Sequence, residues 1–163
     1  MEMKYIALET QIGELLQRRK LTLATAESCT GGLIGHKLTN VPGSSEYYQG
    51  GIIAYANGVK HYQLGVNLET LAIYGAVSQE VVIEMSRGVR QQLHTDIGLA
   101  VSGIAGPGGG CPEKPVGYTW IGLSSASIDQ SWNYLWQGDR LQIKEQTAVE
   151  ALHLLLDYLM KFT

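Results

Sequence analysis

The sequence has little cysteine, no excess of basic charge and no long apolar run. Its two cysteines, Cys29 and Cys111, are too few for the disulfide framework of a small secreted domain. No stretch of about 18 apolar residues predicts a membrane-spanning helix, and the first residues lack the pattern of a signal peptide. The net charge of −3 argues against nucleic acid as the main partner. These absences predict a cytoplasmic enzyme or binding domain without membrane attachment.

Glycine, by contrast, is abundant. The 163 residues include 20 glycines, a share well above the average of about 7%, which indicates tight turns or close backbone approach to a ligand. Apolar residues make up 45% of the chain and charged residues 17%, as in an ordinary globular protein. The length suits one domain, so we expect a single unit over residues 1–163.

Hydrophobic periodicity and turn residues predict alternating helices and strands. Strands are expected over residues 21–26, 51–56, 96–102, 117–125 and 131–136. Helices are expected over 5–19 and 33–39, in a short turn carrying Lys60, and after the N-cap residues Asn67, Ser78 and Asp139. Gln142 stands at capping-box spacing from Asp139. An early alternation followed by a hairpin over 127–130 predicts the α/β class, as a three-layer α/β/α sandwich with a mixed central sheet.

A strand that runs into a turn of small residues makes Ser28 a candidate nucleophile. The segment Glu27-Ser28-Cys29-Thr30-Gly31-Gly32 follows the first strand and precedes a helix. Ligand sites of α/β folds lie at the carboxyl ends of strands, and a helix N-terminus there stabilises an oxyanion. Gly31 leaves room for a substrate. Two other interpretations stay open: Ser28 caps the helix, or Cys29 is the nucleophile because a helix N-terminus lowers its pKa.

A serine nucleophile needs a base, and the sequence offers Lys60. The four histidines show no metal-ligand spacing, so we expect no metal. Burial and nearby positive potential lower the pKa of a lysine from about 10.4 toward neutrality, which lets the amine act as a base. The alternative for Lys60 is a solvated surface residue.

A glycine-rich segment runs from Gly103 through Gly106 to Gly110. Successive N–H groups in such a segment often form a concave anion site. The glycine spacing fits neither a dinucleotide fingerprint nor a Walker loop, and an ordinary surface loop is the alternative. Arg140, at the start of the last helix, carries a planar guanidinium group that can bind phosphate through two donors. The alternative interpretation of Arg140 is an exposed residue in the first turn of the helix.

Taken in order, these motifs resemble the CinA C-terminal domain family, which includes nicotinamide-nucleotide amidohydrolases. The resemblance covers nearly the whole chain from about residue 6. It is carried by Ala24-Thr25-Ala26-Glu27-Ser28-Cys29-Thr30-Gly31-Gly32 and by residues 41–45, 51–60, 64–66, 75–78, 102–107, 113–117 and 138–140.

The resemblance implies hydrolysis of nicotinamide mononucleotide to nicotinate mononucleotide and ammonia, on a three-layer α/β/α fold that commonly self-associates. It implies a catalytic pair of Ser28 and Lys60, with Ser102 as a third catalytic residue and Tyr55 in the pocket. No metal or cofactor is implied. We expect the remaining substrate contacts from Thr30, Gly31, Gly103, Gly106 and Arg140.

Two other functions stay open on the sequence. The first is a non-catalytic nucleotide-binding or assembly module of the CinA type, which is linked by name to competence and DNA damage. The second is a hydrolase of another amide or ester. The joint presence of Ser28, Lys60 and Ser102 favours catalysis, because binding alone does not require all three. The expected partners are a small-molecule nucleotide and further copies of the chain in a homo-oligomer.

Overall fold

A computed structural model describes residues 6–161, in which six α-helices surround five strands. The strands are β1 (Leu23–Glu27), β2 (Tyr48–Ile53), β3 (Ile97–Gly103), β4 (Tyr118–Ser124) and β5 (Asp129–Leu135). The helices are α1 (Leu8–Arg19), α2 (Leu33–Thr39), α3 (Asn57–Leu64), α4 (Leu68–Tyr74), α5 (Gln79–Gln92) and α6 (Arg140–Lys161). Residue 5, the first residue of the predicted N-terminal helix, lies outside the described residues.

The five strands form one mixed sheet in the order β2-β1-β3-β4-β5. Strands β2, β1 and β3 run parallel, and β4 and β5 run antiparallel to their neighbours. Because α-helices connect the parallel strands, both faces of the sheet are covered. The predicted α/β class with a mixed central sheet is confirmed.

Side chains of successive strand residues alternate between two hydrophobic cores. Leu99 packs with α1, α2 and α6 on one face, whereas the next residue, Ala100, packs with α3, α4 and α5 on the other. Gly98 lets α5 lie close to β3, because a Cβ atom there would come within 2.1 Å of the Ser86 carbonyl oxygen. These two cores complete the three layers.

The helix caps predicted from the sequence are confirmed. Asn67 accepts from the Glu69 N–H at 2.8 Å, and Ser78 accepts from the Val81 N–H at 3.3 Å. At α6 the capping box is reciprocal: Gln142 N–H donates to Asp139 at 2.9 Å, and Asp139 N–H donates to Gln142 at 2.8 Å. The last cap fixes where α6 begins, and therefore where Arg140 lies.

Strands β1, β2 and β5 differ from the prediction by two or more residues at one end or both. Strand β2 covers Tyr48–Ile53 rather than 51–56, because Tyr48 and Gly50, which precede the predicted start, pair with β1. A Cβ atom on Gly51 would lie 2.4 Å from Thr25 Oγ1, so packing against β1 requires glycine there. Strand β1 begins at Leu23, since Thr22 donates from its N–H and its hydroxyl to the Asp96 carboxylate, both at 2.8 Å.

The hairpin lies two residues earlier than expected. Strand β5 starts at Asp129 rather than at residue 131, because the Ser125 N–H closes the loop by donating to the Ile128 carbonyl at 2.8 Å. Within residues 6–161 no helix is both long enough and apolar enough to cross a membrane.

Candidate active site

One edge of the sheet collects the carboxyl ends of the three parallel strands. Ser28 directly follows β1 and extends its ladder, because its N–H donates to the Val101 carbonyl at 3.1 Å. Ser102 lies near the end of β3, opposite Trp120 of β4. Lys60 lies on α3, which begins four residues after β2 ends. The topology therefore brings together three segments that are distant in sequence.

The Lys60 ammonium group reaches back from α3 to Ser28. Its Nζ atom lies 3.0 Å from Ser28 Oγ, 2.7 Å from the Ala54 carbonyl oxygen and 3.2 Å from the Tyr55 carbonyl oxygen. Only 1% of the Lys60 surface is exposed. The alternative of a solvated surface lysine is therefore wrong.

Burial changes the protonation of Lys60. Desolvation lowers the pKa of Lys60 from 10.5 to about 8, because a charged amine is disfavoured away from water. As a neutral amine, Lys60 has two N–H donors for its two carbonyl partners and one lone pair for the Ser28 hydroxyl. The three contacts therefore fit a lysine that accepts a proton from serine.

Cys29 is poorly suited to be the nucleophile. Its side chain is 5% exposed, and burial raises the pKa of the thiol from 9.0 to about 12. Since the thiolate is the reactive form, the thiol is inert near neutral pH. This pKa favours Ser28 over its neighbour.

Ser102 is buried close to the pair but is bound elsewhere. Its hydroxyl donates to the Ala76 carbonyl at 2.7 Å, and in the described part of the chain it makes no hydrogen bond to Ser28 or Lys60. A role for Ser102 in catalysis therefore stays a prediction, and it would require the hydroxyl to leave Ala76.

The residues around Ser28 line a cleft of about 220 Å³, which we call the Ser28 cleft. Of the predicted site residues it contains Ser28, Lys60, Ser102, Tyr55, Gly103 and Arg140. Cys29, the alternative nucleophile, also lines the cleft, and four further lining residues were not predicted from the sequence: Asn57, Ala76, Val77 and Ala105. Asn57 could have been predicted from the sequence, because it precedes Lys60 by three residues on α3 and therefore lies on the same face of the helix.

Arg140 closes one side of the Ser28 cleft. Its Nη1 atom donates to the Gly106 carbonyl at 2.6 Å, and its Nη2 atom donates to the Tyr55 hydroxyl at 2.8 Å. Gly106 does not line the cleft itself, and its carbonyl holds Arg140 in place. The Tyr55 side chain is 59% exposed, so this link lies at the mouth of the cleft.

Thr30 and Gly31 lie beside the Ser28 cleft rather than in it. They line a neighbouring cavity of about 440 Å³ that also contains Lys144. Their contact with substrate stays a prediction.

The turn after β1 differs from a serine-capped helix. Gly32, not Ser28, is the N-cap residue of α2, and no side chain of the cap residue itself accepts there. The alternative in which Ser28 caps the helix is therefore wrong. The Glu27 side chain caps α2 instead, because it accepts from the N–H groups of Gly32, Ile34 and Gly35. No role for Glu27 was predicted from the sequence.

The described residues, 6–161, contain no cluster of three or more His, Cys, Asp or Glu side chains suited to a metal ion. The chemistry that the Ser28 cleft offers comes from a buried amine, a serine hydroxyl and an arginine at the mouth.

This fold and site define an α/β/α domain with a serine–lysine pair at the carboxyl edge of its parallel strands. Residues 6–159 match the family described as CinA C-terminal domain, and the chain belongs to that family. A relative from Moorella thermoacetica, named as competence-damage inducible, is 51% identical over 148 residues. That match covers 91% of this chain and 36% of the relative, so the chain spans about a third of that protein's length.

Solved structures show the same fold. A competence-damaged protein (CinA) superfamily protein from Klebsiella pneumoniae superimposes with a TM-score of 0.92 at 32% identity, covering 95% of this chain and 97% of that one. A competence/damage inducible protein from Agrobacterium tumefaciens gives a TM-score of 0.85 at 36% identity, covering 93% and 96% respectively.

Proposed function

We propose that this chain is an amidohydrolase that converts nicotinamide mononucleotide to nicotinate mononucleotide and ammonia. The observation that carries the proposal is the 3.0 Å contact between the buried Lys60 amine and the Ser28 hydroxyl. A pair of this kind activates a serine without histidine or metal. The resemblance to nicotinamide-nucleotide amidohydrolases supplies the substrate.

In the first half of the reaction, neutral Lys60 takes the hydroxyl proton of Ser28. The serine oxygen then forms a bond to the carboxamide carbon of the substrate. As the tetrahedral intermediate collapses, the carbon–nitrogen bond breaks and Lys60 returns its proton to the leaving ammonia. The product of this half is an ester between Ser28 and the nicotinate group.

In the second half, water hydrolyses that ester. Lys60 removes a proton from water, the resulting hydroxide attacks the ester carbon, and the bond to Ser28 breaks. The proton returns to the Ser28 oxygen, which leaves the enzyme unchanged and releases nicotinate mononucleotide.

Backbone donors next to Ser28 are available to stabilise the oxyanion. Within the described residues, the N–H groups of Cys29 and Thr30 donate to no backbone carbonyl, whereas the Gly31 N–H donates to Ser28 O at 3.1 Å. In serine hydrolases the N–H after the nucleophile commonly serves this purpose. We assign the same role to the Cys29 N–H, because Cys29 lines the Ser28 cleft.

The size and charge of the site suit a nucleotide that extends beyond the cleft. At about 220 Å³ the Ser28 cleft is small, below the usual range of about 300 Å³ or more for ligand pockets. We place the pyridine carboxamide there and the phosphate toward Arg140 at the mouth. Self-association of the chain is also proposed, and sedimentation analysis tests it.

The decisive experiment measures ammonia release from nicotinamide mononucleotide by the wild type, Ser28→Ala and Lys60→Ala. We expect release by the wild type only, with both variants folded by circular dichroism. Cys29→Ala is the matched control, since it alters the adjacent buried side chain and leaves the pair intact. No release by the wild type would contradict the proposal and favour a nucleotide-binding or assembly module, or a hydrolase of another amide.

A further inference from the structure

A buried carboxylate lies next to Ser28 and has no cationic partner. Glu27 ends β1 and is 2% exposed. The ion pairs of the described residues are Lys37–Glu145 and Arg87–Asp129, so none involves Glu27. A buried carboxylate is costly unless hydrogen bonds replace its water, and its partners therefore define what it does.

Four donors surround the Glu27 carboxylate. Oε2 accepts from the Thr30 hydroxyl at 2.6 Å, from the Gly32 N–H at 3.0 Å and from the Ile34 N–H at 3.1 Å. Oε1 accepts from the Gly35 N–H at 2.8 Å. One side chain thus ties the end of β1 to the turn that carries the nucleophile and to the first turn of α2.

These bonds use the donors that the N-terminus of α2 would otherwise offer to a ligand. The N–H groups of Gly32, Ile34 and Gly35 are therefore occupied by Glu27, and the predicted oxyanion role passes to a donor of the turn itself. The N–H groups of Cys29 and Thr30, which lie in the turn itself, donate to no backbone carbonyl in the described part of the chain.

Hydrogen bonds fix both ends of the turn over residues 28–32, whereas two N–H groups in its middle donate to no backbone carbonyl of the described residues. Ser28 N–H donates to Val101 O at 3.1 Å, which anchors the start of the turn to β3. The Glu27 carboxylate anchors its end through Thr30 and Gly32. Donors fixed in this way need no reorganisation when negative charge develops on the substrate.

We propose that Glu27 is a positioning residue for the Ser28 nucleophile. It holds the turn over residues 28–32 so that the Ser28 hydroxyl meets Lys60 and the Cys29 N–H stays available for the oxyanion. This inference rests on the proposed serine–lysine chemistry. Glu27 acts through the turn and touches no reacting atom.

The test compares Glu27→Gln with the wild type, because glutamine keeps the shape but places an N–H₂ group against a donor. We expect kcat to fall by about 10- to 100-fold, less than the roughly 100- to 1000-fold cost of deleting an oxyanion donor outright, with KM changed less than about twofold. The pKa that limits the rate at low pH should not move, since burial and Cys29, not Glu27, shift the pKa of Lys60.

Asn67→Ala is the matched control. Asn67 also caps a helix with a side-chain oxygen, by accepting from the Glu69 N–H, but it lies outside the Ser28 cleft. We expect this variant to lose about 1 kcal/mol of stability and to keep kcat per folded molecule. Thr30→Val, which deletes one of the four donors, should lower kcat by less than Glu27→Gln and serves if the latter folds poorly.

Labelling of Ser28 by a fluorophosphonate separates this inference from the identity of the substrate. The Ser28 oxygen bonds to phosphorus, the phosphorus–fluorine bond breaks, fluoride leaves and Lys60 takes the proton. Slower labelling of Glu27→Gln supports the inference even if the wild type ignores nicotinamide mononucleotide. Equal kcat and equal labelling in folded Glu27→Gln overturn it, and a wild type that is neither active nor labelled overturns both proposals.

Discussion

Lys60 Nζ lies 3.0 Å from Ser28 Oγ, although 32 residues separate the two positions in the chain. The Lys60 amine also contacts two backbone carbonyls, and almost none of its surface is exposed. An amine in this position can act as a base only while it is neutral. Burial makes the neutral form accessible because it lowers the pKa of the amine.

Ser28→Ala should abolish amide hydrolysis, whereas Cys29→Ala should not. Removing a nucleophile that works as a unit with its base lowers kcat by at least about a thousandfold. The Cys29 thiol has a pKa of about 12 and contributes no thiolate near neutral pH. Steady-state ammonia release measures both variants. Activity that survives in Ser28→Ala and disappears in Cys29→Ala would contradict serine chemistry.

The rate should depend on the neutral form of Lys60. Since the pKa of Lys60 is about 8, kcat/KM should rise about tenfold per pH unit below that value and level off above it. The measurement is a pH–rate profile in a series of overlapping buffers. A profile that is flat from pH 6 to pH 9 would exclude Lys60 as the base.

Lys60 should also make stability depend on pH. Its pKa is 10.5 in a solvated chain and about 8 when buried, so the unfolded state binds more protons between these values. Stability therefore rises with pH across this window, and the contribution of Lys60 is lost as pH falls toward 8. The unfolding free energy of the wild type minus that of Lys60→Met should become more positive by about 3 kcal/mol from pH 8 to 10.5.

Denaturant unfolding at several pH values measures that difference. Other titrating groups contribute equally to both proteins and cancel. A difference that stays constant would show that Lys60 keeps its ordinary pKa, and one that becomes more negative as pH rises would show that folding raises the pKa.

Arg140 should discriminate substrates by their phosphate. Arg140→Lys loses the planar fork that reaches both Gly106 and Tyr55, so KM for nicotinamide mononucleotide should rise by about tenfold or more. Hydrolysis of nicotinamide, which lacks phosphate, should change little. Tyr55→Phe deletes only the acceptor hydroxyl and should raise KM less. Equal effects of Arg140→Lys on both substrates would remove Arg140 from the phosphate site.

Much of the fold was predictable because local signals were strong. Helix α2 covers the predicted residues 33–39, and the caps at Asn67, Ser78 and Asp139 all form. Strand ends were less predictable. The bounds of β2 depend on the pairing of Tyr48 and Gly50 with β1, contacts between strands that no local pattern contains.

The candidate site divides in the same way. Ser28, Lys60, Ser102 and Gly103 were predicted and line one cleft, but Thr30 and Gly31 line the cavity beside it. Thr30 and Gly31 follow closely after Ser28 in the sequence, and only the direction of the turn after β1 separates them from the cleft. Glu27 was missed because an acidic residue at a strand end has no distinctive pattern until its four donors are placed around it.

The sequence by itself determined the elements, the helix caps, the family and the residues able to react, because these depend on neighbours within about one turn of chain. The tertiary structure decided which of those residues act together. Burial of Lys60 and the raised pKa of Cys29 arise from the packing of segments that are distant in sequence. Their physical cause is the loss of water when parallel strands bring separate loops to one edge of the sheet.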